Sequence, residues 1–293
     1  MTLIDGNRCT SCGRCGSVCL RGILREGDTG VVVTDPEQCI FCGHCKAVCP
    51  TNAPGFSHLD ENEFELILNA DKLSDPSEFL RFLRRRRSTR VYKEKSLEIR
   101  KLRMILEAGR FAPTGGNRQP CQYIVVRGRQ LLDQASILGI QTLQRLGESV
   151  KEAFDRYRQL EEPLPEEFIP IQNYPPVWER IANKWEEGMD LLLYHAPALI
   201  LIHTKRGATT TADVDAGLSA MHMILMAETM GLGTCLNGFL VTALKHSKEL
   251  REALEVPDDH QVHVAFTIGY PDVEFLRVVA RNPAKVKWIG ESA

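Results

Sequence analysis

The chain has 293 residues, a formal net charge of −2 and 43% hydrophobic residues. This length allows more than one domain, and the near-neutral charge gives no sign of general nucleic-acid or membrane-surface binding. No apolar stretch approaches the roughly 18 residues of a membrane span, since residues 198–202 are far too few.

The first 50 residues hold eight of the ten cysteines, in two copies of the spacing C-x₂-C-x₂-C-x₃-C. The copies form an internal repeat, because Asp5, Cys9, Gly13 and Val18 recur thirty residues later as Asp35, Cys39, Gly43 and Val48. A repeat that preserves cysteines and a turn glycine is one small unit used twice. This spacing is typical of [4Fe–4S] ligation, and it indicates single-electron transfer.

A disulfide framework and a zinc site are the two other uses of closely spaced cysteines. A disulfide framework needs an oxidising compartment, and residues 1–6 have neither the basic nor the apolar region of a signal peptide. Zinc modules usually pair two CxxC knuckles across a longer gap. We therefore expect iron–sulfur clusters in a reducing cytoplasm.

Residues 1–56 resemble the two-cluster bacterial ferredoxins, which have a βαβ-repeat fold. In that family the fourth cysteine of each run binds the other cluster. The resemblance implies one cluster on Cys9, Cys12, Cys15 and Cys49, and a second on Cys39, Cys42, Cys45 and Cys19. The second run ends in Pro50 as the family pattern does, whereas Leu20 follows the first.

Residues 57–76 read as a linker, and residues 77–293 as the second domain. Asp75, Pro76 and Glu78 suit the N-cap, N1 and N3 positions of a helix. The apolar residues that follow predict a buried face on this helix; they are Phe79, Leu80, Phe82 and Leu83.

Four landmarks follow in order. They are the run Arg84–Arg87 with Ser88 and Arg90; the loop 112–120, between a helix 96–109 and a strand 122–126; the apolar helix 213–230 closed by Gly231; and the segment 268–271 followed by Arg277 and Arg281. An arginine run alone is more often a solvated face. Planar guanidinium groups and hydroxyls also suit a phosphate dianion.

Together these landmarks resemble the nitroreductase superfamily of FMN enzymes, and the resemblance implies an α+β protein whose second domain is an α/β/α sandwich. It implies that a set of matched residues binds FMN: Arg86, Arg87, Ser88, Arg90, Pro113, Thr114, Asn117, Gly233, Thr234 and Arg281. No catalytic residue, and no donor to flavin N5, can be assigned. Cys121 and Leu236 stand where many relatives have aromatic residues. Cys121 and Cys235 read as small buried hydrophobes.

Residues 139–190 are the least family-like part, with a helix-compatible stretch at 143–159 and a proline-rich, acidic one at 161–176. Trp178, Ile181, Trp185 and Met189 recur at helical spacing, which favours core packing. An alternative hypothesis is that Tyr174, Trp178 or Trp185 lines a substrate pocket. Four histidines lack ligand spacing and read as core residues: His195, His203, His222 and His263.

The helix 213–230 is apolar almost all round and is expected to be buried on every side. In the family this helix forms the dimer interface, with the flavin sites between subunits. The resemblance therefore implies a homodimer.

We expect a reductase in which electrons enter the clusters singly, gather on FMN as a pair and leave to a nitro or similar activated organic acceptor. The donor could be reduced ferredoxin or NAD(P)H. Alternatives are an electron carrier between partner proteins, or a family member that performs ene reduction, dehalogenation or flavin reduction.

Overall fold

The structure is a computed structural model and describes residues 2–66, 75–166 and 168–290. It divides into two compact units: Met1–Ser74 with Thr114–Gln119, and Asp75–Pro113 with Pro120–Ala293. Residues 67–74 of the expected linker lie outside the described residues, and the expected domain boundaries stay a prediction. No helix in the described ranges is long and apolar enough to cross a membrane.

The first unit contains the expected βαβ repeat. Its elements are β1 (Thr2–Ile4), α1 (Arg14–Ser17), β2 (Leu24–Gly27), β3 (Gly30–Val33), α2 (His44–Ala47) and β4 (Pro54–Phe56). Strand β1 pairs antiparallel with β4, and β2 pairs antiparallel with β3. Gly13 and Gly43 precede α1 and α2 with φ values of 70° and 74°. This left-handed conformation favours glycine, so each cysteine run can turn sharply into its helix.

The second unit is built on a four-stranded antiparallel sheet in the order β5-β6-β8-β7. The strands are β5 (Gln122–Arg127), β6 (Ala198–Lys205), β7 (Gly233–Leu236) and β8 (His260–Gly269). The helices are α3 (Pro76–Arg85), α4 (Ile99–Arg110), α5 (Arg129–Gln159), α6 (Pro175–Glu186), α7 (Ala212–Thr229), α8 (Gly238–His246) and α9 (Lys248–Ala253).

Strand β6 divides the core of this unit into two layers because its side chains alternate between the faces of the sheet. Leu199 and Leu201 pack in the cluster that includes residues of α5, α6, α8 and α9. Ile200 and Ile202 pack with residues of α4 and α7. The result is a helix–sheet–helix sandwich, which confirms the expected α+β class.

Several local predictions need correction. Asp75 caps α3, accepting hydrogen bonds from Ser77 N and Glu78 N at 2.8 and 3.2 Å, but α3 contains no buried residue. The helix expected over 96–109 begins at Ile99, since Glu98 has extended backbone angles. The helix expected over 143–159 begins much earlier, at Arg129.

Helix α7 is not buried on every side of the single chain. Val214, Leu218 and Met221 are 60%, 40% and 42% exposed, while Met223 and Ala227 are fully buried. The apolar sequence therefore fits one face against the sheet and leaves a second apolar face uncovered in this chain.

Candidate functional site

The eight run cysteines of the first unit surround two cavities. One is lined by Cys9, Cys12, Cys15 and Cys49, and the other by Cys19, Cys39, Cys42 and Cys45. We call them the first and the second cavity. Each contains three cysteines of one run and the fourth of the other, which is the grouping that the ferredoxin resemblance implies.

The surroundings of these sulfurs suit iron–sulfur clusters, which depend on backbone N–H donors and exclusion of water. Val31 N donates to Cys9 Sγ at 3.5 Å, Ala53 N to Cys49 Sγ at 3.3 Å, and Phe41 N to Cys39 Sγ at 3.4 Å. Apolar side chains cover the set, among them Ile23, Leu24, Val31 and Phe56.

The spread of the cysteine side chains bears on which group they can hold. In the described part of the chain, no three His, Cys, Asp or Glu side chains are grouped to hold one metal ion. A [4Fe–4S] cluster is larger and is held by four thiolates, so its ligands surround the cluster instead of converging on a point. The four thiols around each cavity therefore fit one [4Fe–4S] cluster apiece.

The local environment shifts the thiol pKa in opposite directions at two of these cysteines. Burial raises the pKa of the Cys45 thiol to about 11, whereas the Arg14 backbone N–H lowers the pKa of the exposed Cys12 thiol. Because thiolates are the ligands, metal binding at Cys45 must release a proton near neutral pH.

In the second unit, the segment after α3 lies beside β7. Thr89 N donates to Thr234 O at 2.9 Å, and Ser88 forms a parallel bridge with Thr234. This pairing brings together two groups of expected FMN residues that lie about 145 positions apart in the sequence. The groups are Arg86, Arg87, Ser88 and Arg90, and Gly233 with Thr234. Gly233 is required here, because a Cβ at this position would lie 2.2 Å from Thr89 Oγ1.

This juncture is electropositive. Among the described residues, Arg86 and Arg87 have no acidic partner, and both are half-buried next to Ser88. Guanidinium groups without carboxylates, beside a hydroxyl, are a donor set for a phosphate. The residues present therefore fit the phosphate end of FMN.

Cys235 and Tyr194 complete this juncture, and neither was expected there. Burial raises the pKa of the Cys235 thiol, against the opposing effect of Arg90 and Ser88. The Arg90 guanidinium lies 5.9 Å from the Tyr194 ring centroid. Tyr194 and His195 have consecutive positive φ values of 59° and 49°, and such strained non-glycine pairs often mark functional sites.

Four expected FMN residues form no hydrogen bond with this juncture in the described structure: Pro113, Thr114, Asn117 and Arg281. Arg281 is exposed, and its guanidinium donates to the neighbouring Ala280 O. Thr114 and Asn117 belong to the first unit, whereas Pro113 belongs to the second. Asn117 uses its side-chain amide on the carbonyls of Ile40 and Phe41.

The aromatic residues of the 139–190 segment divide between core and surface. Trp178 is 1% exposed and packs against Tyr174 and Phe239, so the core interpretation holds for it and a pocket role does not. Tyr174 is 39% exposed, and its pocket role stays a prediction.

Three of the four histidines pack with partners as expected. His203 Nδ1 is 2.7 Å from His260 Nδ1, His263 lies between Asp213 and Thr204, and His222 meets Ala108 O. His195 is exposed, so the core interpretation was wrong for it.

Comparison with known proteins agrees with these units. The nitroreductase family model matches residues 83–270, and the 4Fe-4S dicluster domain model matches residues 8–53. The 4-nitrobenzoate reductase of Nocardioides sp. (strain LMS-CY) is 26% identical over 220 residues, covering 66% of this chain and 80% of that protein. The nitrobenzene nitroreductase of Ectopseudomonas oleovorans is 22% identical over 197 residues, covering 65% and 85%.

Among solved structures, a nitroreductase with bound FMN from Desulfitobacterium hafniense DCB-2 superimposes with a TM-score of 0.53. It is 20% identical, and the match covers 73% of this chain and all of that one. This likeness shows a shared fold. With the family model spanning most of the second unit, the chain belongs to the nitroreductase family of oxidoreductases and has a 4Fe-4S dicluster domain before the family domain.

Proposed function

We propose that the protein is an FMN-dependent reductase that passes electrons from two [4Fe–4S] clusters to FMN and on to a nitro or similar activated organic acceptor. The observation that carries the proposal is the pair of four-cysteine cavities on a chain whose family domain is a nitroreductase. The relatives named for nitrobenzoate and nitrobenzene reduction support a nitroaromatic acceptor.

In this proposal each cluster has the ligands of one cavity: Cys9, Cys12, Cys15 and Cys49 in the first, and Cys19, Cys39, Cys42 and Cys45 in the second. When bound, the clusters would carry single electrons and FMN would supply electron pairs. A two-electron reduction of a nitro group requires such a pair. The N–H groups of Val31, Ala53 and Phe41 hold negative charge on the sulfurs and so favour the reduced state.

The same proposal assigns the FMN phosphate to Arg86, Arg87, Ser88 and Arg90. Two of these residues, Arg86 and Arg87, are half-buried. Among the described residues, no carboxylate pairs with their guanidinium groups, so no acidic side chain competes with the phosphate for them. Thr89 fixes this segment to the Gly233–Thr234 backbone, so the donors are held in place before the ligand arrives. Pro113, Thr114, Asn117 and Arg281 are assigned to FMN by family resemblance alone.

A homodimer with FMN at the subunit interface is part of the proposal. Val214, Leu218 and Met221 give α7 an exposed apolar face. The C-terminal segment leaves Leu276, Trp288 and Ile289 76%, 76% and 86% exposed. Contiguous exposed apolar surface marks interaction sites, and a second copy of the chain would cover these side chains. We also propose a cytoplasmic location, where thiolates stay reduced.

The test is anaerobic turnover of the purified protein with titanium(III) citrate as reductant and 4-nitrobenzoate as acceptor. Disappearance of the acceptor faster than titanium(III) citrate alone consumes it, without any other protein, supports the reductase. Oxidation of the reduced protein only when an electron-accepting protein is added supports a carrier instead. NADPH, NADH or reduced ferredoxin in place of titanium identifies the donor.

A further inference from the structure

Arg90 is the most exposed of the three juncture arginines assigned to FMN. Arg86 and Arg87 are half-buried, whereas Arg90 is exposed. In the part of the chain that the structure describes, no carboxylate pairs with its guanidinium. An exposed arginine side chain samples many rotamers, and a ligand that binds it must restrict them. Any contact that orients Arg90 beforehand therefore lowers the cost of binding that ligand.

The ring of Tyr194 is such a contact. The Arg90 guanidinium carbon lies 5.9 Å from the ring centroid, which is within the range of a cation–π interaction. Tyr194 is half-buried, and burial raises the pKa of its hydroxyl, so the phenol stays neutral at physiological pH. The residue before Arg90 is also fixed, because Thr89 N donates to Thr234 O at 2.9 Å. Both the backbone entering Arg90 and its charged end are thus restrained.

The backbone of Tyr194 is itself held in an unfavourable conformation. Tyr194 and His195 have φ values of 59° and 49°, and they lie in the connector 187–197 between α6 and β6. Non-glycine residues keep such a conformation only where their surroundings impose it. The connector must therefore be fixed by contacts on either side of the tyrosine.

The buried carboxylate of Asp190 provides the first of these contacts. Asp190 is 4% exposed, and its Oδ1 accepts from Leu192 N and Leu193 N at 2.9 and 2.7 Å. Its Oδ2 accepts from Ser136 Oγ and His195 N at 2.9 and 3.3 Å. The three backbone donors lie on both sides of the strained tyrosine. Since a buried carboxylate is costly without its donors, this set of hydrogen bonds favours one conformation of the connector.

Two further contacts fix the connector to the sheet. Asn237 Nδ2 donates to Leu192 O at 2.6 Å. At the other end, Pro197 packs so closely on Gly269 that a Cβ on this glycine would lie 2.6 Å from Pro197 Cδ. Gly269 pairs with Gly233 in the ladder between β7 and β8. The connector is therefore attached to the strand pair that also holds the arginine segment.

We propose that Tyr194 is a positioning residue of the flavin site, which orients Arg90 for FMN, and that Asp190 in turn positions Tyr194. The inference rests on the proposed function, because that function assigns Arg90 to FMN. It adds two residues that the family resemblance does not imply. Their effect is to restrict Arg90 during folding, so that flavin binding does not have to.

The experiment measures the FMN dissociation constant of the full-length, cluster-loaded protein, from the flavin fluorescence released on anaerobic dilution. Tyr194→Leu removes the aromatic face, whereas Tyr194→Phe keeps it. Arg90→Gln and the double variant Arg90→Gln/Tyr194→Leu complete a double-mutant cycle, which isolates the coupling between the two side chains. Asp190→Asn tests the carboxylate. Tyr157→Leu is the matched control, because Tyr157 is a half-buried tyrosine near the C-terminal end of α5.

We expect Tyr194→Leu to raise the FMN dissociation constant about fivefold, as loss of a cation–π contact implies, and Asp190→Asn to raise it as well. Tyr194→Phe and Tyr157→Leu should bind FMN as the wild type does. In the Arg90→Gln background, Tyr194→Leu should have no further effect.

Two results overturn the inference and leave the proposed function intact. One is wild-type affinity in Tyr194→Leu, and the other is the same weakening by Tyr194→Leu with and without Arg90. Wild-type affinity in Asp190→Asn overturns the part assigned to Asp190. An unchanged dissociation constant in Arg90→Gln instead overturns the proposed assignment of Arg90 to FMN.

Discussion

The contact between Gly233 and Thr89 gives a quantitative test of how the arginine segment is held on β7. A Cβ at position 233 would lie 2.2 Å from Thr89 Oγ1 and 2.6 Å from Thr89 Cβ. Rotation of the threonine side chain can move Oγ1 but not Cβ, so Gly233→Ala must shift backbone. Overpacking of this kind costs about 1–3 kcal/mol. Because no rotation of the side chain moves Thr89 Cβ away, we expect a cost near the upper end of that range.

Part of that cost is offset, because alanine loses less backbone entropy than glycine in a strand, by about 0.5–1 kcal/mol. The net expectation is a loss of about 2 kcal/mol in the free energy of unfolding. This corresponds to about a thirtyfold fall in the folded-to-unfolded ratio. The shift should also move Ser88 away from Thr234 and lower the FMN content of the purified protein.

The assay is urea unfolding followed by tryptophan fluorescence, because all three tryptophans lie in the second unit. Gly238→Ala is the matched control, since a Cβ there meets nothing within 4 Å. Thr89→Ala removes two of the three clashing atoms, so it should restore part of the stability that Gly233→Ala loses. If Gly233→Ala and Gly238→Ala unfold at the same urea concentration and retain equal FMN, the reasoning is refuted.

Three further predictions concern the interface, the clusters and acid stability. Met221→Lys places a charge on the exposed face of α7 and should give a monomer with little FMN by size-exclusion chromatography; a flavin-bearing dimer would contradict the proposed interface. Cys42→Ala should lose about four of eight irons by iron assay, and Cys121→Ala none; equal losses would contradict the ligand assignment. Burial, with His260 next to it, lowers the pKa of His203 to about 4. The folded state thus binds fewer protons than the unfolded state between about pH 4 and 6.5, and stability should fall as the pH falls through that window. The tryptophan unfolding midpoint should depend less on pH in His203→Asn, and an identical pH slope would argue against this origin.

Local sequence signals predicted the parts of the molecule that depend on local chemistry. The cysteine spacing and the paired glycines at 13 and 43 define the cluster unit without reference to the rest of the chain. Asp75 was predicted as an N-cap because capping needs only its own side chain and the next three residues. The alternation in β6 likewise follows from the two-residue period of a strand.

The parts that sequence did not predict depend on distant contacts. Asn117 matches a flavin-contacting position in the family, yet its amide binds carbonyls some 76 residues earlier. Tyr194 gave no signal, because a positive φ at a tyrosine is imposed by its surroundings. The apolar face of α3 was expected to be buried, but periodicity shows that a face is apolar and not what covers it.

The most direct test of the central claim is an anaerobic reduction of the full-length protein with known cofactor content. We expect about eight irons and one FMN per chain, with the cluster absorbance bleaching before the flavin and both recovering when 4-nitrobenzoate is added. A protein that binds flavin and turns over 4-nitrobenzoate without iron, or whose reduced clusters never reduce its flavin, would contradict it.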